Sequence, residues 1–136
     1  LFEIGERRLL FPGDAQFENW AYALSKPRVR RLLQGVNLYK VGHHGSLNAT
    51  PKASLWPLFD SQRSKKASPK RMTTLLSTMP GKHGHTESAT EVPRKKLLQA
   101  LKTETNLFST QGLKAASKPH ETVIDLSPSR RRKRPR

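Results

Sequence analysis

Leu38-Tyr39-Lys40-Val41-Gly42-His43-His44-Gly45-Ser46 decides how this chain is read, together with Leu9-Leu10-Phe11-Pro12-Gly13-Asp14-Ala15 some thirty residues earlier. Each stretch reads as an apolar strand that stops at a glycine and then presents a side chain able to hold a metal. The first ends in a carboxylate and the second in two imidazoles. Strand ends and the loops after them suit such chemistry, because the strand fixes the backbone while the loop exposes the side chain. An Asp and a His from two neighbouring strand ends match the ligand preferences of zinc, manganese or iron.

Working outward, the pattern alternates strands and helices. Residues 1–4 and 7–11 read as two short strands around the turn Gly5-Glu6. Residues 17–24 read as a helix with Asp14 or Gln16 near its start. Ser25-Lys26-Pro27 reads as the start of a second helix, with Ser25 near the N-cap, Pro27 in the first turn, and Val29, Leu32 and Leu33 at helical spacing. Gly35 stops that helix, and 36–41 is the central strand. Thr50-Pro51 reads as a cap and first-turn proline opening a short helix through Trp56, which Pro57 ends. The polar stretch 61–71 is a loop, 73–77 a strand, and 79–91 a loop rich in glycine and histidine. Val92, Leu97, Leu98 and Leu101 mark a helix over 92–101, and 106–109 and 122–126 complete the strands. This order predicts an α/β fold, a mixed sheet with helices packed on one face.

Composition narrows the function classes. The chain has 136 residues, room for one small domain, and no cysteine, which excludes disulfides and thiolate metal sites. Its hydrophobic fraction is 34%, against roughly 45–50% for a typical domain counted with glycine, so it is short of material for a self-sufficient core. No run approaches the roughly twenty apolar residues of a membrane span. The formal charge is +16, of which Arg130, Arg131, Arg132, Lys133, Arg134 and Arg136 supply six, leaving +10 in the body. Both parts favour nucleic acid or another polyanion as a partner. Residues 127–136 carry no apolar anchor and read as a disordered basic tail. The expected compartment is the cytoplasm, or the nucleus in a nucleated organism, where such a tail resembles a localisation signal.

From residue 1 to 126 the chain resembles the C-terminal half of a metallo-β-lactamase-fold hydrolase, closest to the branch that includes the nuclease-like domain of bacterial competence proteins. The likeness lies in Gly13-Asp14-Ala15 after a strand, then a helix, then a strand running into His43-His44-Gly45-Ser46. It implies a partial αββα sandwich: one half of a fold in which two similar halves meet with the metal at the join. It implies that Asp14 is the bridging carboxylate and that the last histidine ligand lies in the His43-His44 pair. His43 is preferred, because related ribonucleases carry a small hydroxyl residue shortly after the ligand, as Ser46 stands here. His44 then lies beside the metal or faces substrate. The implied cofactor is zinc, or manganese. The implied reaction is attack of a metal-activated water on an ester, amide or phosphodiester.

The chain departs from that family in one specific way. The H-x-H-x-D-H motif and the further histidine between it and Asp14 are absent. The expectation is a fragment, inactive alone, whose sheet is covered by a missing N-terminal half or by another chain.

The remaining candidates have two readings each. Asp14 after Pro-Gly also reads as a helix cap, and the two histidines as ordinary loop residues. Lys82, His83 and His85 read as a substrate-facing loop with Ser46, or as a solvated glycine-rich loop. Three functions stay open: a hydrolase fragment, a basic nucleic-acid-binding protein on the same scaffold, and an interaction module.

Overall fold

The computed structural model describes residues 1–79, 81, 82, 84, 85, 87, 90–111, 113, 121 and 123–125. Five strands form one sheet: β1 (Phe2–Ile4), β2 (Arg7–Leu10), β3 (Val36–Lys40), β4 (Thr73–Leu76) and β5 (Asn106–Ser109). They lie side by side in sequence order. β1 and β2 form an antiparallel hairpin, and β2 to β5 run parallel. Parallel neighbours need crossover connections, and these carry the helices. α1 (Phe17–Leu24) and α2 (Pro27–Leu33) join β2 to β3, a 3-10 helix (Trp56–Gln62) precedes β4, and α3 (Lys95–Glu104) precedes β5.

The pleat and register divide the side chains between two faces. On one face Leu10, Tyr39, Val41 and Leu76 meet Trp20 and Leu24 of α1, Leu33 of α2, Trp56 and Phe59 of the 3-10 helix, and Leu97, Ala100 and Leu101 of α3. Burying each such side chain contributes about 1.5–3 kcal/mol, so this cluster dominates the stability of the fold. Tyr39, Phe59, Leu55, Leu97 and Leu101 are fully buried. The opposite face, with Leu9, Leu38, Lys40, Leu75 and Phe108, carries no helix among the described residues. The fold is therefore α/β, with a mixed five-stranded sheet and its helices on one side.

A bulge makes this division work. Arg8 pairs with Val36 and Leu9 with Leu38, so Asn37 is an extra residue on β3. Its side-chain oxygen accepts the Arg8 N–H at 2.9 Å, replacing the ladder bond that the bulge removes. Val36 and Tyr39 can then share the helical face although they are three residues apart. The Arg8 guanidinium, held by Glu3 at 2.9 Å, donates to the carbonyls of Arg31 and Leu32 and so caps the end of α2.

Several expected boundaries move. The N-cap of α2 is Lys26, while Ser25 closes α1 by donating its hydroxyl to the Tyr22 carbonyl at 2.7 Å. Residues 52–55 form turns, and the helical segment begins at Trp56 with Pro57 in its first turn, where a missing N–H costs nothing. α3 starts at Lys95, after Val92-Pro93, because Arg94 is in an extended conformation. Val123, Ile124 and Asp125 form no strand. No helix among the described residues is long and apolar enough to cross a membrane.

Candidate functional site

Because β2 to β5 are parallel, their carboxyl ends share one edge of the sheet, and the loops that follow them gather there. The Asp14 loop follows β2 and the His43-His44 loop follows β3. These strands are direct neighbours, with Leu10 opposite Tyr39. The two loops touch at their glycines: a Cβ on Gly42 would lie 2.8 Å from the Gly13 carbonyl oxygen and 3.4 Å from Pro12 Cγ. Only a residue without a side chain allows that approach.

Asp14 sits in a turn closed by the Ala15 N–H donating to the Pro12 carbonyl at 3.2 Å, with Gly13 at φ +60°. The cap of α1 is Gln16, whose N–H donates to Asn19 Oδ1 at 2.9 Å. Capping therefore does not explain Asp14. Its carboxylate is exposed and makes no hydrogen bond or ion pair among the described residues.

The histidine loop has an unusual backbone. His43 (φ +40°), His44 (φ +54°) and Gly45 (φ +90°) are consecutive residues in the left-handed region. Non-glycine residues there cost of order 1–3 kcal/mol each and persist only where the surroundings impose them. Here the surroundings are visible. The Gly45 and Ser46 N–H groups donate to the Gly42 and His43 carbonyls, each at 3.0 Å, closing the turn. The Gly45 carbonyl accepts the Arg94 N–H at 3.1 Å, and Gly45 packs against Pro93. Downstream, the Ala49 carbonyl accepts the Trp20 indole N–H at 2.9 Å, and the Thr50 hydroxyl bonds the Tyr39 hydroxyl at 2.7 Å.

His44 Nδ1 lies 3.0 Å from the Ser77 carbonyl just beyond β4. A carbonyl only accepts, so Nδ1 carries the proton and Nε2 is the nitrogen that remains basic in the neutral ring. His43 has no such tether among the described residues. The two rings are exposed, 6.1 Å apart between centroids and inclined at 51°. Ser46 is half-buried, and its Oγ accepts the Asn48 N–H at 3.2 Å.

Two neighbouring groups on β3 have displaced proton affinities. Burial pushes the Tyr39 phenol up to about 12, against the opposing pull of its Thr50 hydrogen bond. Desolvation lowers the affinity of the Lys40 amine.

Asp14 and His43 together offer one oxygen and one nitrogen donor of the types that zinc and manganese take. Among the described residues no group of three or more His, Cys, Asp or Glu is placed to hold a metal. The donors fit the ion in kind and fall short in number. Lys82 and His85 are exposed on their loop, where the His85 N–H donates to Thr90 Oγ1 at 3.0 Å. His83 and the basic residues Arg130, Arg131, Arg132, Lys133, Arg134 and Arg136 lie outside the described residues.

The Trp20, Tyr39 and Thr50 contacts that hold the loop have no signature in the sequence beyond a tryptophan and tyrosine on core faces. Lys40 carried a faint one, a charge inside an otherwise apolar strand. Comparison with protein families, curated proteins and solved structures finds no match.

Proposed function

We propose that this chain supplies one half of a metal-dependent hydrolase site of the metallo-β-lactamase type. The observation that carries the reading is the contact of the Gly13 and Gly42 loops, which puts an unengaged carboxylate and an untethered imidazole on adjacent strand ends. The strained histidine turn supports it, because such backbone persists at sites where function requires a fixed geometry. So does the β1 margin of the helix-free sheet face, where Phe2 and Ile4 are 61% and 55% exposed while Leu9 and Leu38 at the centre of that face are buried. A second αβ layer carrying the H-x-H-x-D-H ligands would cover that margin and complete a partial αββα sandwich.

In that assembly Asp14 and His43 would hold the ion, zinc or manganese. A bound divalent ion supplies acidity, making hydroxide available from water near neutral pH. Asp14 would also orient the attacking water. Nε2 of His44, the nitrogen left without the proton that Nδ1 carries, would face substrate. The tethers to Ser77, Arg94, Trp20 and Tyr39 hold the backbone of the histidine loop in place. An ester, amide or phosphodiester fits this chemistry, and the basic body favours the phosphodiester.

Equilibrium dialysis against zinc or manganese tests the reading. The chain alone should take up less than one ion, weakly, and Asp14→Ala and His43→Ala should each abolish the uptake. One tightly held ion that survives both substitutions overturns the assignment.

A basic nucleic-acid-binding module on the same scaffold is the second reading. Lys52, Lys65 and Lys96, from three different segments, line one cleft of about 660 Å³. Salt-dependent binding to nucleic acid of any sequence, without metal uptake, favours it.

A further inference from the structure

A cavity of about 260 Å³ lies at the same sheet edge on the face without helices, and Lys40, Leu75, Ser77, Phe108, Thr110 and Leu113 line it. The register explains the grouping. Lys40 is the last residue of β3 and lies opposite Leu75, which lies opposite Phe108, so three neighbouring strands send these side chains to one face. Ser77 follows β4 and reaches the same place. Its carbonyl is the one that holds His44, so the cavity borders the histidine loop.

Two hydroxyls of the lining are engaged elsewhere. Ser109 Oγ accepts the Gln111 N–H at 3.0 Å. The Thr110 hydroxyl is already committed, donating to the Thr78 carbonyl at 2.7 Å and accepting the Thr78 N–H at 2.8 Å. It fixes the wall and has little left to give a ligand. The Ser77 hydroxyl makes no hydrogen bond among the described residues, and the half-buried Lys40 ammonium has no hydrogen bond or ion pair there either. A charge held partly out of water without a partner is costly, and methionine would fill the same volume without that cost. Leu75, Phe108 and Leu113 supply apolar walls beside it. A cation and a hydroxyl set in an apolar cavity match an anion attached to a flat or apolar body.

We propose that this cavity binds a phosphate ester on an aromatic or other apolar body, with the phosphoryl oxygens on Lys40 and Ser77 and the body against Leu75, Phe108 and Leu113. As a substrate subsite the inference rests on the hydrolase reading above, because the cavity would hold the non-reacting end of a substrate whose scissile bond reaches Asp14 and His43. As a binding site it stands without that reading. The phosphate is chosen over a carboxylate because the chain's excess of positive charge suits the more highly charged anion.

Phenyl phosphate titrated into the full chain, followed by residue-resolved NMR, tests this. Amide shifts should concentrate at residues 40, 75–77 and 108–110. Phenyl phosphate should bind at least tenfold tighter than inorganic phosphate, since the apolar walls then contribute. Lys40→Met should weaken it at least tenfold, and Ser77→Ala by a smaller factor in a chain whose spectrum is otherwise unchanged. Shifts confined to the Lys52, Lys65 and Lys96 cleft or to the tail overturn the assignment, as does unchanged affinity in Lys40→Met. Benzoate binding as tightly as phenyl phosphate overturns the choice of phosphate. Manganese-induced broadening at Asp14 and His43, measured on the same Lys40→Met sample, should persist. Its absence in every sample would count against the hydrolase reading alone and leave the cavity assignment to its own data.

Discussion

The Gly13 carbonyl oxygen stands 2.8 Å from the place a Cβ on Gly42 would occupy, and this approach joins the two loops that carry Asp14 and His43. Gly42 has φ −71°, a conformation open to any residue, so only the lack of room calls for glycine. Gly42→Ala should therefore destabilise the fold by about 1–3 kcal/mol through overpacking. Urea denaturation measures this. A neutral substitution would mean that the loops separate easily and do not hold a fixed site.

Tyr39 ties the centre of the sheet to the end of the histidine loop through Thr50. Tyr39→Phe leaves the fully buried Thr50 hydroxyl without that partner and should cost about 1–3 kcal/mol. The burial of the Tyr39 phenol has a signature at high pH. The folded-state pKa of about 12 lies above the ordinary 10.0, so above pH 10 the unfolded chain loses its phenolic proton while the folded chain keeps it. The stability from this group is complete below pH 10 and disappears as pH rises toward 12. The sequence contains two tyrosines. In a Tyr22→Phe chain, absorbance of the remaining tyrosinate should rise only near pH 12 or on unfolding. Ionisation near pH 10 in the folded state would show that Tyr39 is open to water.

Lys40 behaves in the opposite sense. Its folded-state pKa is lowered by desolvation, so between the folded and unfolded values the unfolded chain binds more protons and stability rises with pH. Below that window the charge is a standing cost. Lys40→Met should raise the melting temperature at neutral pH, with the gain shrinking as pH climbs through the lowered pKa. A lower melting temperature at all pH values would indicate that Lys40 makes a stabilising contact.

His43 and His44 differ in what holds them, and this separates their variants. In an assembled hydrolase, Asp14→Ala and His43→Ala should each reduce turnover by several orders of magnitude, because each would remove a proposed metal ligand. His44→Ala should do less, removing the bond to the Ser77 carbonyl and loosening the turn. Steady-state rates decide between them. A mild His43→Ala and an inactive His44→Ala would exchange their roles.

Much of the fold was legible because its signals are local. Gly5-Glu6 marked the hairpin, Pro27 the start of α2, and the apolar runs around Leu10, Tyr39 and Leu76 marked β2, β3 and β4. Misplaced boundaries came from residues with two local uses. Ser25 can cap a new helix or close an old one, and Thr50 looks like a cap until Tyr39 is found across from it. Asn37 was read as an ordinary strand residue, because a bulge depends on the register of a partner twenty-nine residues away. The types of the site residues Asp14 and His43 could be read directly. The nearness of their loops depends on β2 and β3 being adjacent and parallel, which is a property of the sheet. The Lys40 cavity was not legible, since it arises from three strands in register.

Manganese titrated at substoichiometric amounts into the labelled chain, with amide broadening read residue by residue, tests the paired Asp14–His43 site most directly. Paramagnetic broadening detects weak occupancy, so a site with two ligands still reports. Amides of residues 13–15 and 42–46 should broaden together, at one manganese concentration, and Asp14→Ala should remove the broadening from both loops at once. Broadening centred on His85, or spread evenly over the chain, or surviving at 42–46 after Asp14→Ala, would contradict a shared metal site.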